Sequence, residues 1–159
     1  MSVHSGSRQL LIHGLLLVLA GLVFGGVVPA TPHPRLALGA HIQFVTNGML
    51  FIVLATVLLT LPHRVGVRSI GIMVVSAWLT WGMAMSEAAN AWWGTKDTLP
   101  IAAGLAGASG GAPWQERVVA LTHLGAGVGL LVAWALLVIG FLRGGGRHAA
   151  TESAPRTDR

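Results

Sequence analysis

Apolar residues run along this chain in four blocks that are too long and too unbroken for elements of a soluble domain. They cover about Gln9 to Val28, Leu36 to Leu61, Val67 to Trp93 and Val118 to Leu142. Each approaches or exceeds the ~20 residues that carry a helix across a bilayer. The pattern predicts an all-α chain: an integral membrane four-helix bundle in residues 1–142, followed by a tail. The first block has a rival reading as a signal peptide with Arg8 as its basic flank. It is longer than the ~7–15 residues of such an apolar core, so a retained helix is expected.

The breaks between blocks carry turn chemistry. Pro29, Pro32 and Pro34 punctuate the first connection, and Pro62 ends the second block before His63 and Arg64. Residues 94–113 form a long connection rich in Gly and Ala, which reads either as a lid over a site or as a flexible connector. After Arg143 the sequence GGGRHAATESAPRTDR predicts a disordered tail over 143–159.

Composition supports the membrane reading. Charged residues make up 9% of the chain against 53% hydrophobic, and so few charges cannot cover a water-facing surface. The net charge of +5 resides in the connections and tail. Arg8, Arg64, Arg68, Arg143, Arg147, Arg156 and Arg159 fall on one side of a four-span topology, and Arg35, Lys96 and Arg117 on the other. That bias places both termini, and the tail with them, in the cytoplasm, with the bacterial inner membrane as the expected location and membrane lipid as the surrounding partner. Trp92, Trp93 and Trp114 then mark the opposite interface. No basic stripe is interleaved with aromatics, so nucleic acid is not an expected partner. The chain has no cysteine and no tyrosine, which excludes disulfides, thiolate metal sites, thiol nucleophiles and phenolic acids.

The chemistry must therefore come from polar residues inside the blocks. Gly21 and Gly25, and again Gly125 and Gly129, have the small-xxx-small spacing of close helix packing. His13 reads as a hydrated histidine near the cytoplasmic boundary. In the third block Ser76, Thr80, Glu87 and Asn90 share one helix face. Glu87 is the one acidic residue well inside a block. It reads either as a carboxylate snorkelling to the interface beside Trp92 and Trp93, or as a group that binds a polar substrate or relays protons. In the second block Gln43 and Asn47 share a face. His41 and Asn47 stand about 240° apart round a helix, so one pocket uses both only by wrapping the helix or by drawing on neighbouring copies. His41 reads either as a hydrogen-bonded core histidine or as a metal ligand, with His123 as a second candidate. A zinc site needs three or four ligands and finds no such cluster, whereas haem needs one ligand and an apolar pocket.

The run HIQFVTNGM, in which His41 is followed after five residues by Asn47-Gly48-Met49, resembles the second helix of the styrene oxide isomerases and hydroxylaminobenzene mutases. These are small four-helix membrane enzymes. His13-Gly14 at the start of the first helix also matches, and HPRLALGAH, AWWG and LPIAAG are closer to the mutase branch. The resemblance covers about Gln9 to Leu142. It implies that His41 is the axial ligand of a haem b, the metal being its iron, and that Asn47 lines the substrate site. It also implies a homo-oligomer, a trimer with haem near subunit interfaces. The isomerase branch uses a tyrosine from the third helix. Here the equivalent position falls near Ala84, so epoxide isomerisation by the same constellation is not expected.

The resulting expectation is a mutase that moves a hydroxyl group within an aromatic small-molecule substrate, turning an arylhydroxylamine into an ortho-aminophenol. Asn47 orients the NHOH group, and Glu87 or Asn90 handles the ring proton. Three alternatives remain: an epoxide isomerase, a small proton-coupled transporter using Glu87, and a haem electron carrier with His41 and His123 as paired ligands.

Overall fold

In a computed structural model that describes residues 2–145, the chain is helical and, among the described residues, has no strand. The tail from residue 146 onward lies outside the described residues. Five helices follow in order: α1 (Val3–Gly25), α2 (Pro34–Thr60), α3 (Val67–Trp93), α4 (Pro100–Leu105) and α5 (Pro113–Gly145). All but α4 are long and apolar enough to cross a membrane.

Three helices start ahead of their apolar blocks, each for a local reason. α1 begins at Val3 because Ser2 caps it, its hydroxyl accepting the N–H of Ser5 at 3.1 Å. α2 and α5 each start on a proline, whose fixed φ suits the first helical position. α5 carries Glu116 in its first turn and Arg143 in its last, matching the helix dipole at both ends. At 33 residues α5 is about 50 Å long, so both ends project beyond a hydrocarbon layer of ~30 Å.

The packing is inside-out relative to a soluble bundle. Many large apolar side chains are exposed along the spans, among them Leu22, Leu121, Leu131 and Leu142, as expected where the solvent is lipid. Phe51, Leu10, Leu17, Leu54, Ile70 and Met73 fill the centre. α1, α2 and α3 form a mutually packed triangle, and α5 rests chiefly on α3. The α4 turn packs on α2.

The tightest approach is between α1 and α2. A Cβ on Gly14 would lie 2.8 Å from the Gly48 carbonyl oxygen, and a Cβ on Gly48 would lie 2.8 Å from that of Gly14. Here backbone touches backbone, so only glycine fits. The α3–α5 contact is looser and polar. The Ser76 hydroxyl reaches the Gly129 carbonyl at 2.9 Å, and Ser86 bonds Thr122 at 2.7 Å. Gly125 and Gly129 face Leu79 there, in the packing role their spacing predicts.

Gly48→Ala should lower the Tm of the purified protein by the equivalent of about 1–3 kcal/mol, since overpacking forces the helices apart. Gly71→Ala, where a new methyl meets nothing within 4 Å, should leave the Tm unchanged or slightly raised. Equal behaviour of the two variants in a thermal melt would remove the α1–α2 approach as the organising contact.

Candidate active site

The second helix presents two chemically different sides. His41 faces α1. Its Nδ1 lies 2.7 Å from the Gly21 carbonyl, and a carbonyl only accepts, so Nδ1 carries a proton. The ring rests against Gly25, where an added Cβ would come within 3.0 Å of both Cε1 and Nδ1. Gly21 also faces Phe44 and Val45. The Gly21/Gly25 pair, expected as a packing notch, is therefore also the seat of the imidazole. With Nδ1–H committed to a carbonyl, Nε2 keeps its lone pair. Metal-ligating histidines are usually oriented in this way.

The other side carries Gly39, Gln43 and Asn47 at intervals of four. The Asn47 carboxamide donates at 2.8 Å to the Gln43 backbone carbonyl and at 2.8 Å to Gln43 Oε1. Both its hydrogens are thereby used, and Oδ1 remains to accept. Asn47 is buried. The sequence-predicted pairing of the two amides on one face is seen directly.

Glu87 is fully buried rather than snorkelling, at 3% exposure. Its Oε1 lies 2.6 Å from His123 Nε2 on α5. Its Oε2 faces α2, 3.8 Å from where a Cβ on Gly39 would stand. His123 Nδ1 in turn lies 2.7 Å from the Val119 carbonyl. Both of its ring nitrogens are occupied, so His123 is not free to serve as a haem ligand. Gly39 and His41 are two residues apart, about 200° round the helix. Glu87 thus stands on the Gln43–Asn47 side, roughly one turn (about 6 Å) from Gln43, and away from His41.

Asn90 has a different task. Its Oδ1 accepts the Thr95 N–H at 2.7 Å, closing the end of α3, where Gly94 adopts φ +64. His33 packs on that glycine, and its N–H bonds the Ala91 carbonyl at 3.1 Å. Farther along, the Glu116 carboxylate accepts the N–H groups of Lys96, Asp97 and Gly111 at 3.0–3.1 Å. The long connection is pinned at both ends, with α4 folded within it, which does not fit a flexible connector.

His13 departs from expectation. It is buried, accepts the Trp81 indole N–H at 3.2 Å, and meets the Trp78 ring edge-on at 4.8 Å. Trp81 in turn packs on Phe44 at 6.0 Å between ring centroids. These two rings, with Phe24, Met85 and aliphatic residues of α1, line an apolar groove of about 560 Å³ between α1 and α3. That volume suits a small aromatic ligand. The residues that sequence reasoning left apart are His123 and Trp81. Their spacing along their own helices carries no signal of the partner across the interface. Among the described residues, no three or more His, Cys, Asp or Glu side chains gather as metal-ion ligands.

Residues 6–142 match the family model described as styrene oxide isomerase. The chain is 33% identical to hydroxylaminobenzene mutase HabA of Ectopseudomonas oleovorans over 134 residues, covering 82% of this chain and 94% of that protein. It is 31% identical to hydroxylaminobenzene mutase HabB of the same organism, covering 88% of this chain and 87% of that one. No solved structure matches the chain.

Glu116→Ala removes the acceptor for three backbone N–H groups. Limited proteolysis should then cut within residues 95–112 several-fold faster than in the unaltered protein, with the helices still protected. An unchanged cleavage rate would show that the carboxylate does not hold the connection.

Proposed function

The chain belongs to the styrene oxide isomerase family, and from that premise we propose that it rearranges arylhydroxylamines such as hydroxylaminobenzene to ortho-aminophenols by intramolecular hydroxyl transfer. It is an isomerase, and the substrate follows from its likeness to two mutases over most of their length. The observation that carries the chemistry is the His41 imidazole, fixed by the Gly21 carbonyl with Nε2 left free.

His41 Nε2 would hold the iron of a haem b, which asks for one protein ligand and apolar surroundings. When bound, the haem supplies a Lewis-acid iron for the substrate oxygen. The residues of the chain do the remaining work. Asn47, with both hydrogens held by Gln43, accepts the N–H or O–H of the NHOH group through Oδ1 and so orients it. The N–O bond breaks and a C–O bond forms at the ortho carbon. The hydrogen on that carbon must then leave and the nitrogen must gain one, with no net redox change. Glu87 Oε2, on the same side of α2 at the level of Gly39, about one turn from Gln43 and two from Asn47, is the base for the ring proton. Asn90, committed to Thr95, is left out of this step. Apolar walls exclude water, which would otherwise compete for the activated ring.

His41 and Asn47 occupy different sides of α2, so a site that uses both is completed by a second copy of the chain. A homo-oligomer, a trimer by family likeness, supplies that arrangement. The cation bias supports a location in a bacterial inner membrane with both termini in the cytoplasm.

The purified protein should show a Soret band, and His41→Ala should lose it. Gly25→Val, which fills the imidazole seat, should weaken haem retention at least several-fold. A haem-free preparation with full mutase activity would overturn the cofactor assignment. Substrate carrying oxygen-18 in its NHOH group should retain the label in the aminophenol; oxygen taken up from water would refute intramolecular transfer. An assay with an epoxide in parallel should show no isomerisation, in keeping with Ala84 at the tyrosine position.

A further inference from the structure

The Glu87–His123 contact has an unusual proton count. The Val119 carbonyl accepts from His123 Nδ1 at 2.7 Å, so that nitrogen is protonated in any state. Nε2 and Glu87 Oε1 stand 2.6 Å apart, as short as charge-assisted hydrogen bonds become. Two bare lone pairs would repel there, so one proton lies between them. The pair is either imidazolium with carboxylate or imidazole with carboxylic acid. In both forms Oε1 is occupied, and Oε2 is the oxygen turned toward α2.

Helix packing alone does not account for this pair. The neighbouring positions already tie α3 to α5 by the neutral Ser86–Thr122 bond at 2.7 Å. Replacing a buried ionisable pair by apolar residues is often neutral or stabilising, and ionisable groups inside a span are costly.

We propose that Glu87 and His123 form a proton-sharing unit, with His123 the positioning residue that fixes Glu87 so that Oε2 carries hydrogen from ring carbon to nitrogen. This rests on the mutase reading above. After the C–O bond forms, the ortho carbon bears both hydroxyl and hydrogen, and the nitrogen is an imine. Glu87 Oε2 takes the hydrogen from carbon as a proton, and the C–H electron pair restores the aromatic ring. The same oxygen then returns a proton to nitrogen, giving the amine. His123 balances the carboxylate charge before the transfer and keeps Oε1 engaged throughout, so the pair ends as it began. No oxidant, reductant or water enters.

The test uses the full-length protein in lipid bilayers, with His123→Gln compared against the unaltered chain and Glu87→Gln. Infrared difference spectra should assign a carboxyl signal to Glu87 that shifts in His123→Gln. In assays with ortho-deuterated arylhydroxylamine, His123→Gln should lower kcat about 10²-fold with KM within about twofold, as for loss of acid–base assistance. Its deuterium isotope effect should rise as ring-proton removal becomes limiting. His123→Ala should behave alike and recover activity when imidazole is added. Unaltered kcat in His123→Gln, or a lost kcat with the Glu87 signal unmoved, overturns the proposal. A protein without mutase activity would sink the reaction assigned above, and the infrared comparison would still decide whether the pair shares a proton.

Discussion

A single backbone oxygen, that of Gly21, holds the imidazole on which the proposed chemistry depends. It accepts the His41 Nδ1–H, and it can do so only because α1 and α2 lie close enough for Gly14 and Gly48 to touch backbone to backbone. The bond sets the tautomer, the tautomer frees Nε2, and Gly25 leaves room for the ring. Glycines that lower helix propensity are retained where their missing side chains place one helix against another and an imidazole between them.

Several polar groups within the spans find a partner in the protein, as hydrocarbon demands. Ser76 and Thr80 bond carbonyls of their own helix, at Ile72 and Ser76. Asn47 bonds Gln43, Asn90 closes the end of α3, and His13 takes the Trp81 indole. The Glu87 carboxylate, like Asn47 Oδ1 and His41 Nε2, keeps one atom without a hydrogen bond, here an oxygen turned toward α2. A group that the fold satisfies by half is where chemistry is to be sought.

The fold was legible from hydropathy alone, since four apolar blocks of spanning length leave few other architectures. Within a helix, periodicity worked equally well: it paired Gln43 with Asn47 and put Ser76, Thr80, Glu87 and Asn90 on one buried face. It failed wherever a residue's environment is set by another helix. His13 sits close to Arg8 in sequence and so read as hydrated, yet α3 brings two tryptophans over it. Glu87 lies close to Trp92 and Trp93 and read equally well as snorkelling, yet α5 supplies His123 from 36 residues away. Asn90 shares the face of Glu87 but lies at the last turn of its helix, where an unpaired Thr95 N–H claims it. Helical phase gives direction round one axis and is silent about the register between two.

The groove between α1 and α3 bears on supply as well as fit. Its rim residues Leu16, Leu19 and Val23 are exposed on the outer surface of the bundle, where the solvent is lipid, while the connection after α3 is fastened by Asn90 and Glu116. A ligand of that groove enters sideways, from the bilayer. Its working concentration would be set by partition between water and lipid, so adding inert vesicles to an assay would dilute that ligand as surely as adding buffer.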